Sequence, residues 1–240
     1  RSVSRGLGDV YKRQDLILDG GCRLSFCAVI GVGWYVSEKN KIFRSIGEKE
    51  KRKNIKIMFE IIEYLKSHEI YWEMDHMEGI PRITMVFKNC DNCPNFITEG
   101  CIWFYEDSME VRVYYSELGA DICKTSQNRS ELYRLLNFLN ARLWPRVSDG
   151  MGGTLYQSQH LLSPRFYVTE DDRYDITAAM MVSYTHFEMY ALEIEDFITA
   201  ALPGLMNVLS PFVFLVLVKN MTLDTAIDRV KSEILGEEKR

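Results

Sequence analysis

The chain has few of the residues, and none of the spacings, from which chemistry is ordinarily read. Six cysteines in 240 residues are too sparse for a disulfide-built mini-protein. The four histidines, His68, His76, His160 and His186, stand apart. No His-x-x-x-His pair seats a metal, and no Gly-x-Ser-x-Gly raises a nucleophile. Surface or capping roles are therefore expected of them. An excess of basic charge is also missing: 29 Lys and Arg against 34 Asp and Glu leave a net charge of −5, which argues against a general nucleic-acid binder. No apolar stretch approaches the roughly 20 residues that span a bilayer. Pro211 to Val218, the most apolar run, predicts a buried strand or core helix segment. Phe26 to Tyr35 has the look of a secretory core segment but lacks a small-residue cleavage site after it. There is no internal repeat.

What is present is ordinary globular material: 47% hydrophobic, 12% aromatic and 26% charged residues. The length allows one domain or at most two. Ser4 to Gln14 reads Ser-Arg-Gly-Leu-Gly-Asp-Val-Tyr-Lys-Arg-Gln. Back-translated, it matches one reading frame of a transposase-based sequencing adapter, so residues 1–14 are read as an assembly scar outside the fold. The first methionine is Met58, and the Lys- and Glu-rich stretch before it has purine-rich codons, as a translated ribosome-binding region would. Residues 15–57 are accordingly expected to be an untranslated leader, the alternative being a charged, solvated N-terminal helix or linker. Residues 1–57 hold 13 of the basic and 6 of the acidic residues, a net of +7, which leaves −12 for residues 58–240. That remainder is expected to be a single acidic domain. It is repelled by phosphate backbones and anionic membranes and attracted to basic partners.

Periodicity gives the order of its elements. Met58, Ile61, Ile62 and Leu65 share one helical face. Strands are expected from Ile70 to Met74 and from Arg82 to Lys88, with a Glu78-Gly79 turn between them. Cys101 to Tyr105 reads as a strand covered on both faces, and Met109, Val111, Val113 and Tyr115 bring the chain back in clean alternation. Asn128 with Glu131 forms a capping-box pattern before the stripe Leu132, Leu135, Leu136, Leu139, Leu143. Phe166 and Val168, then Ile176 to Val182, make a hairpin around Glu170 to Arg173. Thr185 with Glu188 caps a further helix, Pro203-Gly204 is expected to break or kink it, and a last helix starts near Thr222. The class is α+β: an antiparallel sheet with helices packed on one face, in an α-β-β-β-α-β-β-α-like order.

In this order, three stretches resemble the YbjN-type family, labelled sensory transduction regulators. They are the opening helix Phe59 to Ser67 with Tyr71 starting the first strand, the helix Arg129 to Asn140 ending Leu-Asn-Phe-Leu-Asn, and Pro211 followed by Thr222 to Val230. The resemblance spans about residues 58–232. It implies a fold shared with type III secretion chaperones and a non-enzymatic, cytoplasmic, often dimeric module that binds another protein. It carries over no catalytic residue.

The sharpest chemical feature is Cys90-Asp-Asn-Cys93-Pro, with Cys101 eight residues on. Two thiolates at this spacing can share a tetrahedral zinc, with Cys101 as third ligand and Cys123 or His76 as fourth. No second Cys-x-x-Cys completes a ribbon. A redox pair is the other chemical reading, and a hairpin loop holding plain reduced thiols is the bland one. Ser148 to Gly153 follows a helix and precedes a strand, so it reads as a connection rather than a phosphate loop. Glu170-Asp171-Asp172 lacks calcium-loop spacing and reads as a turn. Tyr71, Trp72, Trp103, Tyr105, Tyr114 and Tyr115 are expected in the core, or as an exposed protein-binding row. Together these point to a protein-binding module, adaptor or chaperone-like, with a protein partner or a second copy, no nucleic acid and no membrane. It would dock by edge pairing or helix in groove. A zinc-stabilised module on Cys90, Cys93 and Cys101, or an enzyme whose site is invisible in the sequence, are the alternatives.

Overall fold

The computed structural model describes residues 51–143, 147–148, 154–155, 163–169 and 171–236, all within one unit, Lys49–Arg240. Helix α1 (Lys51–Ser67) buries Ile57, Met58, Ile61, Ile62 and Leu65 almost completely. It runs through Met58 without a break, and Ile55 and Ile57 belong to the same buried face. At its end Ser67 Oγ donates to Tyr64 O at 2.8 Å, and Glu69 takes a left-handed φ of 56°. Spare carbonyls at a helix C-terminus need such partners.

Strands β1 (Tyr71–Met77) and β2 (Ile80–Phe87) form a hairpin with Met77 opposite Ile80. Its two-residue turn puts both Glu78 and Gly79 at positive φ, 55° and 82°, the requirement of a type I′ turn. Then come β3 (Thr98–Phe104), β4 (Ser108–Tyr115), α2 (Glu117–Thr125) and α3 (Arg129–Arg142). A minimal pair follows, β5 (Val147–Ser148) with β6 (Thr154–Leu155), and after it β7 (Arg165–Val168) and β8 (Ile176–Ser183). Helices α4 (Tyr184–Met189), α5 (Ala191–Asp196), α6 (Leu202–Leu217) and α7 (Leu223–Arg229) follow, and a π-helical turn, Val230–Ile234, continues from α7. The six-stranded sheet is antiparallel throughout, in the order β1-β2-β3-β4-β8-β7. The architecture is α+β. The first strand block holds four strands where the family resemblance implies three.

Strand alternation decides what the core is made of. Ile83 and Met85, Ile102 and Phe104, Met109, Val111 and Val113, and Ala178, Met180 and Val182 line one face, all buried. Tyr115, on that face, donates from its hydroxyl to Met206 O at 2.8 Å and meets Phe214 edge-on at 4.9 Å. These contacts seat α6 on the apolar side. Leu132, Leu135, Leu136 and Leu139 of α3 are buried as their stripe predicts.

Several local expectations are corrected. Helix α2 was not legible: its nine residues are too short to show a period. Asn128 precedes α3, but its side chain makes no capping bond. Its Nδ2 donates to Val216 O at 2.7 Å instead, satisfying a carbonyl at the end of α6. The cap of α4 is Ser183, whose Oγ accepts from His186 N at 3.2 Å, two residues before Thr185. Pro203-Gly204 does not break the chain. A π-helical turn, Phe197–Ala201, precedes the proline and joins α5 to α6. Widening the turn relieves the clash of a proline ring with the carbonyl four residues back. The result is one helix, Ala191–Leu217, of 27 residues. Pro211 to Val218 is thus part of a far longer apolar helix than the sequence suggested. Among the described residues it is long and apolar enough to cross a membrane by length and composition, and half of its most apolar stretch is buried inside the protein.

Candidate functional site

The Cys90 to Cys93 segment links β2 to β3. Its backbone is a turn closed by Cys93 N donating to Cys90 O at 2.8 Å. It is locked at its other end by Cys90 N to Phe96 O and Phe96 N to Cys93 O, each 3.0 Å. Asn89, Asn95 and Phe96 all carry a φ near 60°, a conformation that suits asparagine and strains phenylalanine. Helix α6 holds the turn down. Asn207 Oδ1 accepts from Asn92 N at 2.9 Å and stands 3.7 Å from Cys93 Sγ, while Ser210 Oγ donates to Asn92 O at 2.6 Å. Asn207 and Ser210 are the only polar residues in Leu202–Leu217. Two polar residues in an otherwise apolar helix are the signal by which the sequence marks them.

The two sulfurs are electrostatically unlike. The Cys93 thiol, donating to Cys90, holds the Cys90 thiol below the usual thiol range, helped by Thr98 and opposed by burial. Cys93 is pushed up by the same bond, by burial and by the neighbouring Cys90 charge. Cys90 Sγ lies 3.6 Å from Thr98 Oγ1. Beside it opens a cleft of about 450 Å³, walled by His68, Tyr71, Lys88, Cys90, Pro203 and Asn207 among others.

The zinc site expected from Cys90, Cys93 and Cys101 is not assembled. Thr98, which touches Cys90, lies on the helix-facing side of β3, and Cys101, an odd number of residues on, points to the opposite side. Cys101 is buried there, its thiol pushed up to about 11 by desolvation. Cys123 is fully buried on α2, and burial pushes its thiol to about 11 as well. His76 is exposed near the far end of β1. Among the described residues no three His, Cys, Asp or Glu side chains stand together as a metal site.

The opposite face of the sheet is not the exposed aromatic row that was one expectation. In register across the strands run Glu73, Thr84, Cys101, Arg112, Ala179 and Arg165, and beside them Asp75, Arg82, Trp103, Glu110 and Met181. Arg82 and Arg112 lie over the Trp103 ring at 5.0 and 5.8 Å. Arg82 is tied to Asp75, and Arg112 to Glu110 at 2.8 Å. Arg82, Glu99, Cys101, Tyr114 and Thr177 on this face are buried. Burial, with Asp175 and Glu117 nearby, pushes the Glu99 carboxyl up to about 7.

The remaining candidates have structural roles or fall outside view. His68 stacks on Tyr64 at 4.0 Å and His186 meets Tyr190 edge-on at 5.3 Å. Asp171 Oδ1 accepts from Arg173 N at 3.2 Å, an Asx turn within the β7–β8 connection. His160, Glu170 and residues 149–153 lie outside the described residues.

Large apolar side chains cluster on the surface where α4 meets α5. Met189, Tyr190 and Leu192 are 64%, 42% and 71% exposed. Glu188, Glu193 and Asp196, all exposed, surround them in sequence. Comparison with family models, with curated proteins and with solved structures gives no match for this chain.

Proposed function

We propose that the domain is a non-enzymatic, chaperone-like or adaptor module that binds a basic segment of another protein at the α4–α5 corner. The observation that carries this reading is the exposure of Met189, Tyr190 and Leu192 together; among the described helices the other exposed large apolar side chains, Leu118, Tyr133 and Val208, stand apart in sequence. Adjacent exposed apolar side chains rimmed by charge mark interaction sites. Methionine and tyrosine suit such a surface, the one by adapting its shape, the other by joining an apolar ring to a polar tip.

Charge selects the partner. The acidic rim of Glu188, Glu193 and Asp196, on a unit, Lys49–Arg240, of net charge −8, favours Lys- or Arg-bearing segments and speeds their approach. The acidic rim repels the same rim on a second copy, so symmetric pairing through this corner is disfavoured. The reading agrees with what the YbjN-type resemblance implies. The same resemblance implies a cytoplasmic protein. The polar ties of α6 to the Cys turn and to Tyr115 favour a core helix over a membrane span.

The test compares capture by the full chain with capture by Leu192→Asp and Met189→Asp chains of unchanged thermal stability. One protein held at stoichiometric level by the parent, at least tenfold less by both variants and less at high salt, supports the reading. Capture indifferent to both substitutions and to salt, or no capture at all, overturns it.

A further inference from the structure

We propose that the Cys90–Cys93 turn is a thiol–disulfide exchange site that takes a low-molecular-weight disulfide from the cleft beside it. The inference is independent of the protein-binding corner, which lies on other elements. A β-turn brings its first and fourth Cα atoms within about 7 Å, and a disulfide needs about 4.4 to 6.8 Å. The Cys93 N to Cys90 O bond of 2.8 Å closes such a turn with one cysteine at each end. The backbone therefore already holds the pair at bonding range. The two side chains are not equivalent. Both cysteines are buried, each 5% exposed, but Cys90 is in the wall of the 450 Å³ cleft, whereas the Cys93 sulfur lies 3.7 Å from Asn207 Oδ1 of α6. The cleft is the route by which a small reagent would reach Cys90, with Cys93 behind it.

The order of events follows from this asymmetry. The Cys90 thiolate, stabilised by the Cys93 thiol and by Thr98, attacks one sulfur of R–S–S–R. That S–S bond breaks, and R–S⁻ leaves with the electron pair and takes a proton from solvent. Cys90 now carries a neutral mixed disulfide. Two of the causes that kept Cys93 protonated, its bond to Cys90 and the Cys90 charge, vanish at this point. Cys93 gives its proton to water and attacks Cys90 Sγ, and the second R–S⁻ departs and is protonated. Two protein thiols are oxidised to one disulfide, and one small disulfide is reduced to two thiols. A low thiol pKa on the attacking sulfur and a nearby resolving thiol are what such exchange requires.

The probe is hydroxyethyl disulfide, small and neutral, added to the reduced full chain at pH 7. Samples are acid-quenched, alkylated and mapped by peptide mass spectrometry. The Cys90–Cys93 peptide is expected to lose two hydrogens at least ~10-fold faster than Cys101 or Cys123 reacts, with a rate that levels off at a lower pH than an ordinary thiol would require. Cys93→Ser is expected to stop at one hydroxyethylthio group on Cys90, and Cys90→Ser to carry none on Cys93. Cys90 and Cys93 reacting no faster than Cys101 and Cys123 overturns the proposal, as does a folded Cys93→Ser chain that collects no adduct. The parent kinetics need no variant, so a variant that fails to fold leaves the test standing.

Discussion

Asn140 completes β7 from the side. Its Nδ2 donates to Phe166 O at 2.9 Å and its Oδ1 accepts from Phe166 N at 2.7 Å. One side-chain amide thus satisfies both backbone groups of a residue in a terminal strand of the sheet, as a seventh strand would. Asn140→Ala should cost about 1–3 kcal/mol, because Phe166 is buried and its two polar groups lose their partners. It should also promote self-association through the uncovered edge. Urea unfolding and light scattering read the two effects. Asn140→Asp, which keeps the acceptor only, should fall between parent and Ala.

Glu99 gives the fold a pH dependence. Its carboxyl stays protonated in the folded protein up to about pH 7, against 4.5 when unfolded. Between these values the folded state holds the extra proton, so stability falls as pH rises and the loss is complete above about pH 7. At about 1.4 kcal/mol per pH unit this amounts to about 3 kcal/mol. Asp175, raised to about 6 by burial, adds a smaller loss of the same sign at lower pH. Glu99→Gln should therefore be more stable than the parent at pH 8 and nearly equal to it at pH 4, as measured by urea midpoints at the two values.

Ile57 is fully buried one residue before the first methionine. Ile57→Ala should cost about 2–5 kcal/mol. A chain beginning at Met58 gives up Ile55 as well and should melt well below one beginning at Lys49. Scanning calorimetry of the two chains checks this.

Gly119 and Gly204 should respond in opposite directions to alanine. A methyl group on Gly119, inside α2, would stand 2.7 Å from Tyr115 Cβ and 3.1 Å from Phe214 Cζ. The overpacking cost of about 1–3 kcal/mol exceeds the roughly 0.5–1 kcal/mol that a helical Gly→Ala change returns. Gly204, exposed in α6, has nothing within 4 Å of that position. Gly204→Ala should therefore stabilise by about 0.5–1 kcal/mol. Paired denaturation curves test both signs.

Strand, helix and turn are written into the local residue pattern wherever a period has room to repeat. The alternation Met109, Val111, Val113, Tyr115 placed those four side chains on one buried face. Glu78-Gly79 marked the hairpin turn, and the stripe Leu132 to Leu139 marked α3. Such signals are local, because the period is imposed by the backbone of the element itself. Which elements meet depends on the folded path of the chain. Asn128 and Asn140 read as ordinary helix-end residues until Val216 O and the Phe166 backbone came within reach. Cys101 counted as a partner for Cys90 and Cys93 until the register of β3 turned it to the other side of the sheet. The Cys90 turn acquired unequal sulfurs only through Thr98 and helix α6, which supplies Asn207 and Ser210 from more than 110 residues away. A hydrogen bond or a shared wall between distant segments depends on the path of the whole chain, and no spacing along it records that path.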